Sequence, residues 1–112
     1  MGRAGLVYIH NSLAGIVSEI ETGYRFVYDP KYLKAEGTIP VSLTLPLQEE
    51  AFESNTLFPF FDGLIPEGWL LNISIKNWKL NPRDRMGLLL TVCKDCIGAV
   101  SIVAMDKKEE EQ

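Results

Sequence analysis

The sequence predicts an α+β fold: a small antiparallel β-sheet or partial barrel with a cluster of three or four short helices. Three observations carry that prediction. Short apolar runs near the start are separated by tight-turn residues. Helical spacing, bounded by Asn, Asp and Pro, follows in the second half, and a last apolar run returns to a strand pattern. With 112 residues, one domain is expected over 1–105, followed by a charged flexible tail over 106–112. An apolar fraction of 46% against 23% charged belongs to a folded globular chain, not a disordered one.

The elements follow in order. Leu6 to His10 reads as a strand, closed by the turn pair Asn11-Ser12. Leu13 to Ile20 is a second strand, with Gly15 inside it as a bulge or close-packing point. Glu21-Thr22-Gly23 turns the chain into Tyr24 to Tyr28, which completes an antiparallel meander. Asp29 is placed as N-cap and Pro30 as first residue of a short helix, running to about Glu36 and ending at Gly37. Pro40 to Pro46 is expected to be a peripheral strand, with Val41, Leu43 and Leu45 on one face. Gln48 to Asn55 is the most polar internal stretch and reads as a loop. Ser54 or Asn55 then caps a brief helix through Phe60 and Phe61, broken by Gly63 and Pro66. Asn81-Pro82 starts a later helix on which Met86, Leu89, Leu90 and Cys93 share a face. Lys94-Asp95 ends it, and Ala99 to Met105 is the final strand.

The block from Leu57 to Leu71 stands out because it combines core-grade hydrophobicity with fixed backbone turns and almost no charge. Such a block suits a rigid elbow or a docking surface. From Pro66 to about Lys79 the spacing is helical. Leu71, Ile75 and Trp78 fall within about 60° of one another, and Trp69, Leu70 and Ile73 cluster on the other side, with Trp69 about 180° from Trp78. A surface helix needs one apolar stripe, so this helix is either sandwiched inside the domain or turned with one stripe to a partner. Of Phe58, Phe60 and Phe61, at least two are expected in the core.

Several function classes are excluded. A net charge of −4, with scattered Lys and Arg, does not build a nucleic-acid surface. There is no run of about 18 apolar residues and no signal-peptide pattern, which points to the cytoplasm. Cys93-Lys94-Asp95-Cys96 is a CxxC pair open to zinc, redox or free-thiol readings. His10 is the sole other His or Cys ligand, and a thioredoxin-type pair belongs at a helix start, so free thiols are expected and no metal or cofactor. His10 itself suits a surface or capping place. Glu49, Glu50 and Glu53 read as a solvated loop. Asp62 should cap a helix end or pair with an arginine, for which Arg83 and Arg85 offer forks. No phosphate loop, kinase catalytic loop or nucleophile with a partner is present, and no residue is assigned a catalytic role.

Three segments carry a family resemblance. Pro40-Val41-Ser42-Leu43-Thr44-Leu45-Pro46-Leu47 resembles the "PLSLSLPL" segment of the N-terminal subdomain of HipA-type toxin kinases. Leu57 to Glu67 is similar to that family's "FxFFDNLLPD" element, and Asp95 to Val100 to its "DSVGAV" close. The resemblance spans nearly the whole chain in the right order. In that family a much larger ATP-binding and catalytic body follows, and it has no counterpart in this sequence. A chain from Met1 to a charged tail thus resembles the HipS-type small component of three-part HipBST systems. The resemblance implies an antitoxin that binds and neutralises a HipT/HipA-like serine/threonine kinase toxin, with a helix-turn-helix HipB-like protein as a further member of the complex. The alternative is a non-inhibitory structural subdomain, truncated or split from such a kinase. The partner-binding residues expected are Trp69, Ile73, Leu70, Glu67 and Asp62, with Trp69 as principal contact. Trp69 folded back over the phenylalanine block is the competing reading.

Overall fold

In a computed structural model, which describes residues 2–65, 84–92 and 99–105, the chain builds a five-stranded antiparallel sheet with short helices beside it. The strands are β1 (Ala4–Ile9), β2 (Ser12–Ile20), β3 (Gly23–Tyr28), β4 (Phe52–Ser54) and β5 (Val100–Ala104). Their spatial order is β4-β3-β2-β1-β5, so the sheet is open and not rolled into a barrel. The helices are α1 (Pro30–Lys34), α2 (Pro59–Asp62) and α3 (Arg85–Val92). None among the described residues is long and apolar enough to cross a membrane.

The meander forms as the sequence predicts, because each turn falls on residues that favour one. Ile9 pairs with Ser12, leaving His10 and Asn11 as the turn, and His10 takes a positive φ of 56° there. His10 is exposed, and its backbone N donates to Ala99 O at 2.6 Å. Ladder register shifts between Val7 and Tyr8, opposite Gly15 and Leu13, so Ala14 is the extra residue of a bulge. That bulge turns both Ala14 and Gly15 inward. A Cβ on Gly15 would lie 2.3 Å from Val27 O, so the site is also a close approach.

Asp29 caps α1 as expected, its carboxylate accepting from Lys31 N at 3.1 Å and Tyr32 N at 3.3 Å, with Pro30 in the first turn. The helix stops at Lys34, short of the expected Glu36, and Gly37 turns the loop beyond it at a φ of 75°. Two further expectations are corrected. The segment 40–46 is no strand: Leu45 N donates to Ser42 O at 3.0 Å, closing a turn. That reversal keeps Val41 and Leu45 inside but throws Leu43 out to 97% exposure, breaking the shared face that a strand would give. Prolines at 40 and 46 have no N–H for a ladder, which favours this outcome.

The supposed loop 48–55 contains β4, which pairs with β3 through Tyr24–Ser54, Arg25–Glu53 and Phe26–Phe52. Cross-strand chemistry explains it: Arg25 bonds Glu53 at 2.7 and 3.1 Å, and the Phe26 and Phe52 rings stack at 6.3 Å. With Ser54 in a strand, neither it nor Asn55 caps α2. That helix starts at Pro59, whose ring presets φ for a first helical turn, and Gly63 ends it.

The core lies on the sheet face covered by these helices. Phe26 is fully buried at its centre, 4.9 Å from Tyr28 and 5.4 Å from Phe61 between ring centroids. Phe58 and Phe61 are buried and Phe60 half-buried, as the block's composition requires. Helix α3 buries Met86, Leu88 and Leu89 completely. It sits tightly against Gly5 of β1, where a Cβ would lie 2.7 Å from Leu90 Cδ2. The helix begins at Arg85 and not at the expected Asn81-Pro82, because Asp84 supplies the cap; Cys93 and the 106–112 tail lie outside the described residues.

Candidate partner-binding surface

Of the five residues expected to meet a partner, Asp62 is described, and Glu67, Trp69, Leu70 and Ile73 lie outside the described residues, as does Trp78. Asp62 closes α2, and its Oδ1 accepts from Arg85 Nε at 2.5 Å. It therefore ties α2 to the start of α3, which is the arginine pairing its place in the apolar block suggested. Both side chains remain roughly 40% exposed, so the bridge lies at the surface. A second ionic tie meets the same end of α3, at the residue before Arg85. Arg3 donates to Glu19 at 2.8 and 2.9 Å and to both carboxylate oxygens of Asp84 at 2.7 Å. Asp84 in turn accepts from Gly87 N at 3.1 Å, capping α3.

These contacts set the local electrostatics. The hydrogen bonds from Arg3 hold the Glu19 and Asp84 carboxyls below their usual range, against a smaller opposing effect of burial. The two carboxylates, Glu19 first, raise the Arg3 guanidinium further above its already high value.

The loop between α1 and β4 is built differently, around two tyrosine hydroxyls. The buried Tyr28 phenol donates to Leu45 O and accepts from Val41 N, the latter at 3.0 Å. Burial raises the Tyr28 pKa, the dominant cause among those acting on it. Tyr32 donates to Ile39 O at 2.7 Å and accepts from Ile39 N at 3.3 Å. Ser42 Oγ accepts from Thr44 N at 3.2 Å inside the turn. The backbone of 39–45 is thereby fixed at both ends while Leu43 projects from its tip. Reading the sequence as a strand missed this. The available signal was Ser42 and Thr44 between two prolines, a turn-former combination.

An open groove of about 680 Å³ runs beside this loop, lined by Ile9, His10, Leu13, Asp29, Tyr32 and Ile39 among others. Among the described residues, no three His, Cys, Asp or Glu side chains gather closely enough to hold a metal ion. Cys93 and Cys96 lie outside them. The described surface thus offers contacts of shape, apolar area and charge.

Comparison with known proteins agrees with this arrangement. The family model of the HipA N-terminal domain matches residues 5–103. An uncharacterized protein of Haemophilus influenzae is 36% identical over 110 residues, 98% of this chain and 95% of that protein. The putative kinase Y4mE of Sinorhizobium fredii is 30% identical over 86 residues, 77% of this chain and 20% of the kinase, so the chain spans about a fifth of that relative. A solved N-terminal domain of HipA toxin superposes with a TM-score of 0.69 at 30% identity, covering 94% of each chain. The chain belongs to the HipA N-terminal domain family.

Proposed function

We propose that this chain is a HipS-type antitoxin, which binds a HipT/HipA-like serine/threonine kinase toxin as a separate protein and holds it inactive. The observation that supports it most is the pair of lengths among relatives. The same domain occupies 20% of the Sinorhizobium putative kinase, yet 95% of the Haemophilus relative is aligned to this chain. A domain that exists both fused to a kinase and at its own size is suited to act on the kinase in trans. Its role is binding and not catalysis, since the matched region is the N-terminal domain and the sequence holds no phosphate loop or catalytic loop. Trp69, Leu70, Ile73, Glu67 and Asp62 are proposed to form the contact.

The test is co-expression with a HipA-type kinase lacking this domain, taken from the genome that encodes the chain. Growth rescue together with loss of kinase autophosphorylation is expected. The match to part of a kinase favours a second reading, a structural subdomain without inhibitory power. That reading predicts a stable complex in which the kinase stays active and growth stays arrested.

A further inference from the structure

The large apolar side chains left exposed among the described residues are Ile39, Leu43 and Leu47, and all fall within the segment 39–47. An isolated exposed leucine is ordinary on a soluble protein. Leu43 differs in how it is held. It occupies the tip of the Ser42–Leu45 turn at 97% exposure, and the turn's backbone is anchored by the Tyr28 and Tyr32 hydroxyls. A side chain presented on backbone that is already ordered gives up little conformational entropy when it docks.

The surroundings state the chemistry of the occupant. No charged residue occurs from Ile39 to Gln48, and then Glu49 and Glu50 follow, both exposed. Neither has an ion-pair partner among the described residues, in contrast to Glu53, which Arg25 engages at 2.7 Å. The surface therefore fits an apolar socket with a basic rim. A second copy of this chain fits poorly, because it carries a net charge of −4 and would set acids against acids. The kinase body is the partner that the family provides. In the Sinorhizobium relative this domain is about a fifth of a longer chain, a putative kinase, so the two are tethered in one molecule there.

We propose that Leu43 is the apolar anchor of this docking face, entering a socket on the kinase body whose Lys or Arg rim meets Glu49 and Glu50. The inference rests on the antitoxin reading and adds to it a second contact, separate from Trp69. It assigns the 39–47 turn a recognition role, whereas its backbone hydrogen bonds by themselves explain only its shape.

The experiment titrates the full-length chain by calorimetry against a catalytically inactive HipA-type kinase lacking this domain. Leu43→Ser should weaken binding about 10- to 100-fold, with the melting temperature unchanged because the side chain packs on nothing. Leu43→Met should stay near wild type. The Glu49→Lys, Glu50→Lys double variant should bind more slowly and with less dependence on salt. Wild-type binding that Leu43→Ser leaves intact would overturn this inference alone. No binding by wild type would remove the antitoxin reading and this inference together. A dimer that Leu43→Ser dissociates in sedimentation, with kinase binding unaffected, would assign the face to a second copy and also overturn it.

Discussion

Arg3 grips Asp84 through two hydrogen bonds of 2.7 Å, joining the start of β1 to the cap of α3 across 81 positions of sequence. The same guanidinium holds Glu19 on β2, so one side chain locks a helix to two strands. Because Glu19 and Asp84 are both held below their ordinary values of 4.5 and 3.8, the unfolded chain takes up protons first as the pH falls. Their contribution to stability is present above those values and is lost as acid titrates the folded carboxyls. Denaturant melts at stepped pH should show stability falling below about pH 4.5, and Arg3→Met should flatten that acid limb. An unchanged limb in the variant would show that other carboxylates cause the loss.

Tyr28→Phe should destabilise the domain by about 1–3 kcal/mol, since it strands the buried Val41 N–H and the Leu45 carbonyl at once. Hydrogen exchange at Val41 should quicken with it. Protection at Val41 equal to wild type would mean that the turn holds its shape without the phenol.

The three phenylalanines of the block should separate by depth. Phe61→Ala, fully buried against Phe26, should cost about 3–5 kcal/mol. Phe60→Ala, half-buried at the edge of the same cluster, should cost clearly less. Equal losses in urea melts would contradict the depths described for these rings.

Trp69→Ala is expected to keep its melting temperature while losing kinase binding and growth rescue, whereas Trp78→Ala should be unstable. Tryptophan is enriched among interface hot spots, where truncation costs about 2–4 kcal/mol of binding. Unfolding of Trp69→Ala, or full neutralisation by it, would end the docking role, and unfolding would return Trp69 to the core.

Local chemistry made much of this fold legible. The meander, the Asp29-Pro30 helix start and the special place of Gly15 follow from residues acting on near neighbours, and the composition of the block was enough to place two of its three phenylalanines in the core. What escaped depends on distant partners. β4 looks like an acidic loop until Arg25 and Phe26 are set opposite Glu53 and Phe52. The alternation of Val41, Leu43 and Leu45 reads as a strand, but no strand among the described residues pairs with it. Two tyrosine hydroxyls fix a turn there instead. For the candidate site, the pairing of Asp62 with an arginine was legible from its isolation among apolar residues. The exposure of Leu43 was not, since hydrophobicity alone assigns a leucine to the core.

The pairing of β5 with β1 gives the sheet a timetable. Until Val100–Ala104 has been synthesised, β1 has a neighbour on one side only, and Val7 and Ile9 lack the strand that pairs beside them. A nascent chain can assemble the β1–β2–β3 meander early, with β1 as its edge until β5 arrives and takes that place. Adding β5 beside β1 is one late, long-range step that moves β1 to the interior of the sheet. A chain broken off before that strand would leave β1, with its core residues Val7 and Ile9, as an unpaired edge able to pair with another chain.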